Sequence, residues 1–262
     1  MILRRFSQHV KEQNWFAVFL DLLVVVTGIF LGLQVTEWNE QRKFENSLTV
    51  YYQRLIDDLN EDIAIMESSR DYFLVTKQFS ENTLLAIQND NQNKDSDFII
   101  KMYQATQITT GAFARSTYDE LLNNGTISRL PNVNVRKAIV NYHSTNSSIS
   151  SIFDIDSNYR TGIRSYISAF VQNKIKDKCG DQRTYITSNI SVTHLPKTCP
   201  VEFSNDEISQ QLSNLSRYKS IEQDLNFHIA QIDYRLFDYN LVIMSAKNLL
   251  ELLKQENKNS TS

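Results

Sequence analysis

FAVFLDLLVVVTGIFLGLQV, residues 16–35, decides how the rest of the chain is to be read. Twenty residues of helix rise about 30 Å, the thickness of a bilayer's hydrocarbon core. Asp21 is the only charge in the run, and Thr27 and Gln34 are its other polar members. Trp15 and Trp38 bracket it, as amphipathic rings do at the two membrane–water interfaces. A cleaved signal peptide has a shorter apolar core and small residues before its cut site. This run instead closes in Gln34-Val35-Thr36-Glu37-Trp38. A core helix of a soluble protein is usually shorter and carries a polar stripe. The reading is an uncleaved transmembrane helix over 16–38, with the lipid bilayer as its surroundings.

Outward from the span, residues 1–15 form a short basic leader and 39–256 one polar, helix-patterned body, with a polar tail at 257–262 expected to be disordered. Six Gly and three Pro in 262 residues disfavour a many-turned β architecture and favour long helices. The 27 basic and 30 acidic residues nearly balance and form no basic stripe, which argues against nucleic acid as a partner. Aromatic residues at 11% supply a core large enough to order the body.

Beyond Trp38 nothing stops the helix, since neither Gly nor Pro occurs between Gly32 and Gly111. Apolar residues at Phe44, Leu48, Tyr52, Leu55, Leu59, Ile63, Met66 and Phe73 mark one helical face. Asp57, Asp58, Glu61 and Asp62 then fall on the opposite, solvated face. The helix should break at Asn89–Asn93. A second helix is expected over Asp97–Gln107, burying Phe98, Ile99, Met102 and Ala105. In STYDELLNNG (116–125), Ser116 or Thr117 offers a capping box and Asn123-Asn124-Gly125 a left-handed stop. An irregular stripe follows Pro131, with a Ser/Thr-rich middle at Ser144–Ser151. A last helix starts near Ser204 and carries an apolar stripe to Leu253, long enough to run antiparallel to helix 44–88. The predicted fold is mainly α: one transmembrane helix, then a helical-bundle-like body with two long antiparallel helices.

Cys179 and Cys199 lie in one loop-rich segment, beside Gly180 and Pro200. An even count closing a local loop reads as a disulfide in an oxidising compartment; two unrelated free thiols are the alternative. Between them, alternation on either side of Ser188-Asn189 reads as a small β-hairpin. Arg4, Arg5 and Lys11 precede the span, against Arg42 and Lys43 after it. That thin margin puts the N-terminus in the cytoplasm, and the disulfide tips the body outside.

No stretch reads as a catalytic, metal or cofactor site. The histidines, His9, His143, His194 and His228, lack zinc-hydrolase spacing, and the scattered glycines form no phosphate-binding loop. The residues that depart from a bland pattern lie in the span. Gly28 and Gly32 form a small-x3-small pair, and Asp21 falls within about 60° of them around the helix. Two readings stand: a contact face for a homodimer or a partner membrane protein, or glycines common in spans beside a snorkelling carboxylate.

The string DLLVVVTGIFLGLQVTEWNE, 21–40, resembles the anchor of a widespread bacterial family of single-span proteins, a domain of unknown function. That anchor has an acidic residue, a Val/Ile/Leu-rich run with Gly and a small residue, then Gln and Trp-Asn-Glu. Asp21, Gly28, Gly32, Gln34, Trp38, Asn39 and Glu40 match it, with Asp where many members have Glu. A second patch, 116–143, is similar to the family's central T-Y-x-E-L…G…L…Y pattern, while the cysteine loop lies outside the resemblance. The resemblance implies a bacterial inner-membrane protein. It implies no activity. The sequence alone leaves two functions open: a non-enzymatic tethered interaction or sensory module, or an anchored enzyme or ligand binder whose site is assembled from distant residues.

Overall fold

The computed structural model describes residues 15–89, 94–110, 113–153, 157–187 and 190–261. The basic leader before Trp15, most of the Asn89–Asn93 break and the Ser188-Asn189 turn pair lie outside them. The chain divides into two compact units, 54–256 and a smaller one formed by 1–53 with 257–262.

The element order is α1 (Trp15–Gln88), α2 (Ser96–Gln104), α3 (Ser116–Asn123), α4 (Thr126–Arg129), α5 (Val133–Phe153), α6 (Asn158–Tyr166), α7 (Ala169–Cys179), β1 (Gln182–Tyr185), β2 (Ser191–His194), α8 (Asn205–Leu215) and α9 (Ile221–Thr261). The mainly helical body with a disulfide-closed hairpin is as expected. The apolar stretch and the helix beyond it form one element, because no proline falls between Trp15 and Gln88.

In the smaller unit, the apolar side chains of the first part of α1 point outward, and its most hydropathic 18-residue window is 0% buried. Thr36 Oγ1 donates to Gly32 O at 3.0 Å, which satisfies the hydroxyl within the helix itself. Leu48 and Tyr52 are buried, and Asn257 Nδ2 donates to Gln53 Oε1 at 3.3 Å. The helix continues to Thr261 through the stretch read in sequence as a disordered tail.

In the larger unit, α1 and α9 run antiparallel. Gln88 Nε2 donates to Glu222 Oε1 (2.9 Å), Lys77 meets Asp233 (2.7 Å), and Lys247 meets Glu67 (2.6 Å). Both helices bury residues at alternating spacings of three and four. On α1 these are 55, 59, 62, 66, 69, 73, 76, 80 and 83; on α9 they are 225, 228, 232, 235, 239, 242, 246, 249 and 253. That is heptad-like spacing, which keeps one face of each helix on the core, and Phe73 meets Tyr239 across the pair with ring centroids 5.9 Å apart. Several α1 seam positions are polar, and the hydroxyls of Thr76, Ser80 and Thr83 each donate to the carbonyl four residues back. The seam passes through Asp62 rather than Ile63, which is only half-buried.

Shorter helices complete the core around Phe98, Ile99, Met102, Ile163, Val171 and Ile175. Asp95, Ser157 and Ser168 cap α2, α6 and α7 by accepting from the third following backbone N–H. Ser204 and Glu207 form a reciprocal capping box at α8. The box expected at Ser116 does not form: Arg115 precedes the helix and its guanidinium takes up Asp119 at 3.2 Å. The stop does form, at Gly125 with φ 73°, a conformation that favours glycine.

The last helix is two helices, not one. Tyr218 leaves the helical path so that its ring can lie on Gly162, where a Cβ would come within 2.3 Å of it. Its hydroxyl donates to Asn158 O at 2.9 Å, and its ring stacks on Tyr166 at 5.5 Å. Cys179 at the end of α7 is bonded to Cys199, with Cα atoms 5.4 Å apart. The strands they enclose pair antiparallel, from Gln182 with His194 to Tyr185 with Ser191. Ser68 Oγ donates to Thr193 O (3.0 Å) and Tyr72 Oη to Asp181 Oδ1 (2.7 Å), which pins the hairpin to α1.

Candidate functional site

Two places depart from what a stable fold alone requires. The first is the span. Trp15 and Trp38 are exposed at its ends, and the Arg42 guanidinium lies 5.9 Å from the Trp38 ring centroid. A Cβ at Gly28 or Gly32 would meet nothing within 4 Å. Asp21 is half-buried, and its Oδ2 has no hydrogen-bond partner among the described residues. Asp21, Gly28 and Gly32 share one face of α1.

The second is a cleft in the larger unit, bounded by α1, residues 109–110 and 113–114, and the disulfide-closed hairpin. It encloses about 440 Å³ and is lined by Glu61, Asp62, Ser69, Thr109, Thr110 and Arg183, among others. Asp62 is one of its lining residues. At 1% exposure it is a buried carboxyl, not the solvated one expected from its place beside Asp57, Asp58 and Glu61. It accepts from Ala114 N (2.8 Å) and from Tyr142 Oη (2.7 Å).

Burial pushes the Asp62 carboxyl up to about 6, against the pull of its two donors, and nearby Asp58 and Glu61 raise it further. Loss of water around the charged form outweighs two hydrogen bonds. On the far side of Tyr142, His143 stacks on Tyr118 at 4.0 Å, and burial with Arg115 nearby lowers it to about 4. His228 is likewise a core residue, lowered to about 4 by burial; its Nε2 is 2.8 Å from Ala105 O and its ring stacks on Tyr159. Both imidazoles are neutral at pH 7. His194 stands exposed at the end of β2.

The structure thus brings Cys179 and Cys199 together as expected and places Asp21, Gly28 and Gly32 on one face of α1, with open space around the two glycines. Sequence reading passed over Asp62. Its signal was the spacing: Leu55, Leu59, Asp62, Met66, Ser69 and Phe73 continue a three–four alternation that the apolar residues alone do not show.

Comparison with protein-family models, with curated proteins and with solved structures finds no match to this chain.

Proposed function

We propose that this chain is a single-span protein of the bacterial inner membrane. Its N-terminus is cytoplasmic and its periplasmic helical body is a non-enzymatic interaction or sensory module. One observation carries this reading: residues 16–35 form a helix long and apolar enough to cross a bilayer, and its most hydropathic window is 0% buried. In water that surface would be a large exposed apolar patch, which soluble monomers avoid. The Cys179–Cys199 bond supports a body in an oxidising compartment. The resemblance of 21–40 to a bacterial single-span anchor supports the inner membrane.

The test is fractionation of cells expressing the full chain, with a periplasm-dependent reporter enzyme fused after Ser262. Expected are retention in membranes after alkaline extraction and an active reporter. Release by alkali rejects the span, and a reporter active only in its cytoplasmic form rejects the orientation.

A second reading, an anchored ligand binder, is favoured by the Asp62 cleft, where a buried carboxyl and Arg183 line one volume. Calorimetric titration with small amines and amino acids separates the two readings. Saturable heat lost in Asp62→Ala would favour the binder.

A further inference from the structure

α9 carries two seams, and the fold uses one. Its inward positions, from 225 to 253, meet the core in alternating steps of three and four. Two residues round the helix, a second series keeps the same alternation: Phe227, Ala230, Tyr234, Phe237, Leu241 and Met244. Two residues are about 200° of helix, so this series occupies the opposite face. All six are exposed, Phe227 at 63% and Met244 at 56%. A surface helix of a finished domain is polar on its outward face; one that is apolar all round is built to be covered on both sides.

We infer that the outer seam of α9 is the interface for a second copy of this chain. This inference rests on the membrane tether proposed above. Fully buried, an aromatic side chain hides 150–250 Å², so these five large residues, about half-exposed, offer on the order of 500 Å² per copy. Two such faces make about 1,000 Å², the floor that a biological interface has to clear. Anchorage in one bilayer lowers the requirement further, because the partner is held at high effective concentration. A two-fold axis parallel to α9 sets the two helices side by side in the same sense. Each seam residue then meets its own equivalent, with aromatic rings at Phe227, Tyr234 and Phe237 stacking in pairs.

No charged residue falls on the seam between Phe227 and Met244. The one like-charge approach along its flank, Asp233 with Asp238 of the second copy, is muted at both ends. Lys77 holds Asp233 at 2.7 Å, and burial raises Asp238 toward its neutral form.

The described chain has no free cysteine, so introduced thiols report cleanly. Phe237→Cys and Met244→Cys, each in the full chain in native membranes, are oxidised and run without reductant. Both should give a crosslinked band of twice the chain mass, and Asn173→Cys, exposed on α7, should give none. Adding Phe237→Asp and Leu241→Asp to Met244→Cys should cut the crosslinked fraction about tenfold. An unchanged unfolding temperature would show that the body remains folded. Monomer from both cysteine variants, an adduct of another mass, or a dimer unmoved by the aspartates would overturn the seam. Fractionation of the same samples reports on the tether separately, since the band is scored in whichever fraction holds the chain.

Discussion

Asp62 is the residue whose chemistry the fold changes most, and the change has a sign that can be measured. Unfolded, its carboxyl ionises near 3.8; folded, near 6. Between those values the folded chain holds a proton that the unfolded chain has released, so this group's contribution to stability declines as pH climbs from about 4 to 6. His143 and His228 act oppositely. Their folded values near 4 lie below the ordinary 6.5, so they destabilise the fold as pH falls from 6.5 to 4. Asp62→Asn removes the first effect and leaves the second, while its amide can still accept from Ala114 N and donate to Tyr142 Oη. Thermal unfolding of the variant should rise with pH from 4 to 6.5 more steeply than wild type. Above pH 7 the variant should be more stable by on the order of 3 kcal/mol. A variant less stable at pH 7.5, with an unchanged pH profile, would mean that the two donors hold the carboxylate ionised. This residue was hidden in the sequence because acidic neighbours at Asp57, Asp58 and Glu61 imply a wet face. Burial of an acid is decided by what packs over it, here Ala114 and Tyr142, 52 and 80 residues away.

The long helices were legible where their chemistry is local. Uninterrupted helix formers, the Gly125 stop and the helix start at Ser204 each depend on chemistry within a few residues, and each appears where expected. The break at 216–220 was not legible, because its cause is Tyr218 meeting Gly162, a partner on another helix. The capping box at Ser116 gave way to Arg115, whose guanidinium also reaches Ser147 on α5 at 2.7 Å. Two substitutions test the resulting elements. Leu59, 2% exposed on the α1 seam, should cost about 2–5 kcal/mol when truncated in Leu59→Ala, read as a fall in the denaturation midpoint at constant slope. A loss below 1 kcal/mol would show that the seam does not hold the helix pair. Reducing Cys179–Cys199 should cost about 3 kcal/mol for a loop of this length. Because the hairpin is also pinned by Ser68 and Tyr72, reduction should lower the unfolding temperature without unfolding the body. Equal unfolding temperatures with and without reductant would mean that those two hydrogen bonds suffice.

For the molecule as a whole, the proposed membrane span poses a testable choice: it only holds the body in place, or it also contacts another helix. Asp21, Gly28 and Gly32 share a face on which a Cβ at either glycine would meet nothing within 4 Å. Hydrophobic force between helices is absent in lipid, so association there depends on close backbone approach, which glycines permit. A carboxyl is costly to leave facing hydrocarbon, which gives Asp21 a reason to face a partner. The body seam on α9 and the span face are separate surfaces, and variants can address each without touching the other. Gly28→Leu and Gly32→Leu make the span more apolar, so insertion should be intact while self-association of the span falls about tenfold in a membrane reporter assay. Asp21→Ala should insert at least as well and lose any polar contact. With the Met244→Cys reporter in the full chain, the same glycine variants should leave the α9 crosslink in place if the body pairs on its own. They should abolish it if the span brings the copies together first. Glycine variants that keep wild-type association in the reporter assay would reduce Asp21, Gly28 and Gly32 to parts of an anchor, with all recognition left to the body.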